Sequence, residues 1–189
     1  MDYGFGIMPY EIERKFLVRR DSWRASARAP LSIRQGYLTC NGSLSVRIRV
    51  IDQIRAKLTV KSAVSKIRRL EFEYEIPIGD AGALLSLREC GLVEKLRYRL
   101  PWHGLTWDID VFQGENQGLV VAEIELPDED KAFEKPDWLG LELTSDPRYS
   151  NSNLAKRPFG SWPDAWRCVR LSEPGTGNLN YDAAQRRRV

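Results

Sequence analysis

Glu11 and Glu13 stand two residues apart, with Lys15 two further on, in the run Glu11-Ile12-Glu13-Arg14-Lys15-Phe16-Leu17-Val18. Alternate side chains of an extended chain share a face, so the two carboxylates and the ammonium align on one side, and Ile12, Phe16 and Val18 on the other. At about 3.3 Å of rise per residue the carboxylates lie roughly 7 Å apart and repel by about 2 kcal/mol at an effective dielectric near 20. On an open surface water absorbs that repulsion; in an enclosed site the usual remedy is a hard divalent cation held by oxygens. Glu123 and Glu125 repeat the spacing, whereas Arg47 with Arg49, then Lys57 with Lys61, form basic rows. A polyanion on the basic rows and a divalent cation on the acidic rows would neutralise both, and that pair of ligands describes a metal-bound polyphosphate.

The elements that must carry these rows are mostly strands. Residues 31–39 alternate with Gln35 and Tyr37 on one side, and Asn41-Gly42 signals a hairpin turn. Val46, Ile48 and Val50 then oppose Arg47 and Arg49; Leu58 and Val60 oppose Lys57, Thr59 and Lys61; Phe72, Tyr74 and Ile76 oppose Arg69, Glu71, Glu73 and Glu75. Later, Leu96 and Tyr98 oppose Lys95, Arg97 and Arg99; Ile109 and Val111 oppose Asp108 and Asp110; Ala122, Ile124 and Leu126 oppose Glu123 and Glu125. Helices are expected after Asp21, over 79–90 ended by Gly91 as a C′ residue, over 127–135 behind Pro127-Asp128, and over 149–156 behind Asp146-Pro147. Residues 138–143 read as a short strand or an irregular packing segment. Trp162, Trp166 and Val169 have helical spacing, and from residue 173 the composition predicts disorder.

About eight alternating strands suit two architectures. Either the apolar face makes the core and the charges face water, or the sheet closes into a barrel with a charged, hydrated interior and an apolar exterior covered by helices. Periodicity does not choose between them.

The chain of 189 residues fits one domain with an appendage, and 29 Lys and Arg against 26 Asp and Glu leave a net charge of only +3, unlike a nucleic-acid binder. No apolar run spans a bilayer, and the three cysteines Cys40, Cys90 and Cys168 have neither metal-ligand nor disulfide spacing, so a cytoplasmic protein away from membranes is expected.

The Glu-Ile-Glu-Arg-Lys run resembles the ExExK signature of the CYTH superfamily, the triphosphate tunnel metalloenzymes. Further segments resemble that family in order: Gln35-Gly36-Tyr37-Leu38, Arg47-Ile48-Arg49, Leu58-Thr59-Val60-Lys61-Ser62, Arg69-Leu70-Glu71-Phe72-Glu73, Glu94-Lys95-Leu96-Arg97-Tyr98, Asp108-Ile109-Asp110-Val111-Phe112, Ala122-Glu123-Ile124-Glu125 and Arg148-Tyr149-Ser150-Asn151. The resemblance implies the second architecture, an α+β fold built on a closed eight-stranded antiparallel β-barrel (tunnel) with peripheral helices, over residues 8–158, with 159–189 as a C-terminal extension. It implies Mg2+ or Mn2+ held by Glu11, Glu13, Glu123 and Glu125 with Asp110 helping. Phosphate oxygens would be bound by Lys15, Arg47, Arg49, Lys61, Arg69, Lys95 and Arg97. Tyr37 beside Lys15 would orient the substrate or assist the leaving group, and Glu73 would help orient and deprotonate the attacking water.

The function implied is hydrolysis of linear triphosphates, with inorganic tripolyphosphate as the leading substrate. Adenylyl cyclisation of the class IV type and hydrolysis of thiamine or nucleoside triphosphates use the same kind of tunnel and stay open, as does a non-catalytic polyphosphate binder. The only histidine, His103, falls in a turn, and no Ser or Cys has an evident base, so no covalent intermediate is expected. A homodimer through an outer barrel face is compatible with the sequence.

Overall fold

The structure, a computed structural model, describes residues 10–41, 44–63, 65 and 68–163. Its strands are β1 (Tyr10–Val18), β2 (Leu31–Asn41), β3 (Leu44–Ile51), β4 (Arg55–Ala63), β5 (Arg68–Ile76), β6 (Val93–Trp102), β7 (Leu105–Gln113), β8 (Val120–Glu125) and β9 (Leu139–Glu142); the helices are α1 (Ile78–Ser86) and α2 (Asn151–Lys156). The order around the sheet is β5-β4-β3-β2-β6-β7-β8-β1, and β1 pairs back to β5, which closes an eight-stranded antiparallel barrel. The ninth strand, β9, pairs with the second half of β1, whose first half pairs with β5. Thus one edge of β1 is shared between barrel closure and an added strand.

Closure puts the charged parity inside and most of the apolar parity under cover. α1 lays Ala81 and Leu85 over Ile48 and Ala56 on the outside of β3 and β4. On the opposite wall Ile12, Phe16, Trp107, Ile109 and Ile124 face outward and are covered by Trp23, Phe133 and Trp138. Phe16 and Trp138 both meet Trp107 edge-on, with ring centroids 5.7 and 5.5 Å away. Phe72 and Tyr74, on the outside of β5, stay exposed.

At one end of the barrel the inward parity turns from charged to apolar. Leu17, Tyr37, Val93, Phe112 and Val121 meet Leu143, Tyr149, Leu154, Phe159 and Trp162 there in one buried cluster that stoppers the end. Trp162 stacks edge-on against Tyr149 and Phe159 and donates its indole N–H to the Arg157 carbonyl at 2.9 Å. Phe159 and Trp162 lie beyond the expected boundary at 158, yet they complete this core. The Gly42 half of the Asn41-Gly42 turn, Trp166, Val169 and the tail lie outside the described residues.

Two helix expectations fail for identifiable reasons. Residues 127–135 form a turn and an irregular stretch: the Asp128 carboxylate accepts from the Asp130 N–H at 3.1 Å, closing a local turn in place of helical bonding, and Phe133 is drawn onto Phe16 and Trp107. The helix expected over 79–90 stops at Ser86, and Gly91 is not its left-handed cap. Gly91 instead donates its N–H to the Ala155 carbonyl at 3.0 Å, where an added Cβ would lie only 3.0 Å from that oxygen. The element after Asp21 is a 3-10 turn, Ser22–Ser26, and Asp21 bonds Arg24 and caps nothing. After Asp146 a 3-10 turn, Pro147–Tyr149, precedes α2, with Asp146 capping the first and Ser150 the second. Among the described residues no helix is long and apolar enough to cross a membrane.

Candidate active site

The barrel interior divides by sign. Going around the ring, the contiguous strands β7, β8, β1 and β5 bring Asp108, Asp110, Glu123, Glu125, Glu11, Glu13, Glu71 and Glu73. The other half, β4, β3, β2 and β6, brings Lys57, Lys61, Arg47, Arg49, Gln35, Tyr37, Lys95 and Arg97. Lys15 on β1 and Arg69 on β5 are the basic exceptions on the acidic side. Between the two halves lies a cavity of about 550 Å3 lined by Glu11, Glu13, Lys15, Tyr37, Arg47, Arg49, Lys61, Arg69, Glu71, Arg97 and Glu123. Most of its remaining wall is uncharged and polar, Ser45, Thr144, Ser145, Ser150, Asn151, Ser152 and Asn153, with Lys156 beside them and Leu44, Ala63 and Pro147 as its apolar members.

Register decides which charges meet. β1 and β8 pair Lys15 opposite Glu123, and the Lys15 ammonium lies 2.5 Å from Glu123 and 3.0 Å from Glu13. Although burial works against its charge, those two carboxylates hold Lys15 above the ordinary lysine range. Glu123 also takes Arg97 Nη2 at 2.8 Å; burial opposes its charge too, but Lys15 and Arg97 hold its pKa well below the usual carboxylate range. The backbone of Lys15 is fixed from the other side, its N–H on Thr144 Oγ1 and its carbonyl accepting from Leu143. Arg14, on the outer face, clamps Glu142 with two bonds of 2.8 and 2.6 Å and so holds β9 against β1.

Glu11 is bonded to Lys61 at 2.5 Å, and Lys61 also reaches Glu71 at 2.8 Å. Burial, followed by repulsion from Glu13, nonetheless pushes the Glu11 carboxyl up to about 7. Burial thus outweighs the ion pair with Lys61, and the carboxylates of Glu13 and Glu71 add to it. Glu125 lies opposite Glu13 and is exposed, outside the cavity lining. Among the described residues no three carboxylate, histidine or cysteine side chains already converge as metal ligands; lysines and arginines hold the carboxylates apart.

Asp110 and Lys95 lie deeper than the sequence suggests. Asp110 is fully buried, bonded by Arg97 at 2.7 Å through each of two nitrogens and by Lys95 at 2.5 Å. Lys95 is equally buried, leans on Asn151 at 3.2 Å, and is pulled down to about 8 by burial despite Asp110. Neither lines the cavity; they stand behind Arg97. Glu73 is likewise outside the lining, tied to Lys57 at 2.6 Å and Thr59 at 3.2 Å, while its neighbour of the same parity, Glu71, lines the wall. Tyr37 and Lys15 both line the cavity, with no hydrogen bond between them.

Arg49 differs from every cation just described. Lys15, Arg47, Lys61, Lys95, Arg97 and Arg69 each have a carboxylate within 4 Å, whereas Arg49 has none among the described residues. Its Nε donates to Gln35 Oε1 at 3.1 Å, and burial, then repulsion from Arg47 and Arg97, lowers it to about 10. The sequence signals for Glu71 and Gln35 were present in their parity. Those for Thr144, Ser145, Ser152 and Asn153 were not, because the loop and helix that deliver them carry no alternation.

A CYTH domain model matches residues 9–159 of the chain. The chain belongs to the CYTH domain family. Two relatives are named inorganic triphosphatase: one from Acetivibrio thermocellus is 50% identical over 158 residues, covering 83% of this chain and all of that protein. The other, from Nitrosomonas europaea, is 37% identical over 149 residues, covering 77% of this chain and 96% of that protein. Among solved structures, that of an inorganic triphosphatase is 36% identical with a TM-score of 0.56 and covers 77% of this chain and 93% of its own.

Proposed function

We propose that this CYTH protein hydrolyses linear triphosphates with the help of a divalent cation, inorganic tripolyphosphate being cleaved to pyrophosphate and phosphate. The observation that carries the reading is Arg49, a recessed guanidinium with no carboxylate partner among the described residues, pressed by Arg47 and Arg97 in a cavity whose other wall is acidic. A polyanion removes that cost, and the names of the two curated relatives point to the same substrate. Arg47, Arg49, Lys61, Arg69, Arg97 and Lys15 bind phosphoryl oxygens and offset charge in the transition state. Lys95 and Asp110 act through Arg97.

The donor set of Glu11, Glu13 and Glu123, with Glu125 at its edge, is all carboxylate oxygen, which suits Mg2+ or Mn2+, and such an ion would offset the burial and the repulsion from Glu13 that raise Glu11. When bound, the cation would draw charge from the phosphate oxygens and acidify a water. Glu71 lines the cavity where a water on the acidic side would need orienting, with Glu73 behind it.

The cavity lining contains a single aromatic, Tyr37, and it is part of the inner wall, so the described residues offer no stacking platform for a base. Incubation with tripolyphosphate, ATP and thiamine triphosphate plus Mg2+, with phosphate, pyrophosphate and cyclic AMP measured, should show tripolyphosphate turned over fastest. Cyclic AMP as the main product, or metal-independent binding without turnover, would overturn the reading.

A further inference from the structure

Gln35 is a fully buried amide on β2 between two residues of the cavity wall. Its orientation is fixed by its partners. Arg49 can only donate, so the amide oxygen faces Arg49 Nε at 3.1 Å, and the amide nitrogen is left to donate to the Tyr37 hydroxyl at 3.2 Å. A phenolic proton prefers the plane of its ring and has two places there. With the Gln35 N–H at one, the Tyr37 proton takes the other, and no described residue accepts it. Burial raises the Tyr37 pKa against the pull of Arg47 and Arg49, so the proton stays on the oxygen. The backbone repeats the link, since Gln35 pairs with Arg49 and Tyr37 with Arg47 across β2 and β3.

We propose that Gln35 is a positioning residue that sets Tyr37 and Arg49 for one phosphate chain, by filling an acceptor site of the hydroxyl so that its proton points into the cavity and by holding Arg49 through Nε so that its terminal nitrogens remain for phosphoryl oxygens. The inference rests on the triphosphate reading above. It treats the tyrosine as a hydrogen-bond donor to the substrate whose direction is set by a residue that never touches the substrate.

Steady-state kinetics with tripolyphosphate and Mg2+ on Gln35→Met, Tyr37→Phe and the double variant test the first half. Each single change should lower kcat about tenfold. The double variant should fall no more than about threefold further, because the methionine acts by freeing the tyrosine's proton. Multiplied effects in the double variant, or an unchanged kcat in Gln35→Met, would overturn it. Gln35→Glu tests the second half and serves if the methionine variant unfolds. It keeps an oxygen towards Arg49 but supplies a counter-ion, so KM should rise about tenfold while the substrate-free Tm holds or rises. A lower Tm with unchanged KM would make Gln35 a core filler. If the wild-type protein does not hydrolyse any triphosphate, the functional reading fails, and calorimetric titration of tripolyphosphate still judges Gln35: about tenfold weaker binding to Gln35→Met supports it, equal binding refutes it.

Discussion

Replacing Arg49 by glutamine should make the protein more stable and its function worse. Glutamine removes the charge yet keeps an N–H for Gln35 Oε1, so the perturbation is chiefly electrostatic. The fall of Arg49 from the ordinary arginine range to about 10 corresponds to about 3 kcal/mol disfavouring the charged form in the folded state. Arg49 is partly open to the wet cavity, so screening reduces this to about 1–2 kcal/mol. A cation lowered by folding costs stability at every pH below its folded value, so the cost is present throughout the neutral range. Its removal should raise the Tm of the substrate-free protein by about 2–8 °C in a chain of this size. The same change deletes charge-assisted hydrogen bonds to phosphate, worth about 1.5–3 kcal/mol each, so KM for tripolyphosphate should rise about tenfold to hundredfold. Differential scanning fluorimetry and a phosphate-release assay on the same preparation measure both. A lower Tm together with an unchanged KM would refute the reasoning, because Arg49 would then be a structural residue paired with something other than substrate.

Glu123→Ala should abolish hydrolysis at millimolar Mg2+, since it removes a cation ligand and takes one carboxylate partner from each of Lys15 and Arg97; full activity in that variant would remove the metal assignment. Glu11 gives a pH test. Because its folded pKa is raised from 4.5 to about 7, its contribution favours the folded state below 4.5 and is lost as pH rises through 7, and Mg2+ should restore stability above 7. Tm measured from pH 5 to 8, with and without Mg2+, should show that crossover in the wild type and a weaker one in Glu11→Gln. Trp162→Ala should cost about 3–5 kcal/mol in denaturant unfolding, because a buried indole stacked on Tyr149 and Phe159 leaves a cavity that the barrel end cannot collapse to fill.

The inner ladders were legible because a period of two survives any arrangement of strands: Glu11, Glu13, Lys15, Arg47, Arg49, Lys61 and Glu123 line the cavity as their parity required. What parity could not give was the order around the ring. The gathering of β7, β8, β1 and β5 into an acidic half, facing a basic half, depends on long-range pairing such as β1 with β5 and β2 with β6. Depth along each strand was also hidden, so Lys95 and Asp110 carry the same inward parity as Arg97 yet lie fully buried behind it, outside the cavity lining. Glu71 and Glu73 differ in the same way: two residues along β5 separate the cavity wall from the Lys57 pair. In 127–135 an acidic, helix-like stretch lost to a local Asp128 turn and to the pull of Phe133 on the aromatic wall.

The packed stopper of Tyr149, Leu154, Phe159 and Trp162 makes the chamber a cul-de-sac at that end. Whatever enters must advance tip first and back out along its own track, so arrival of the next molecule waits on departure of the last.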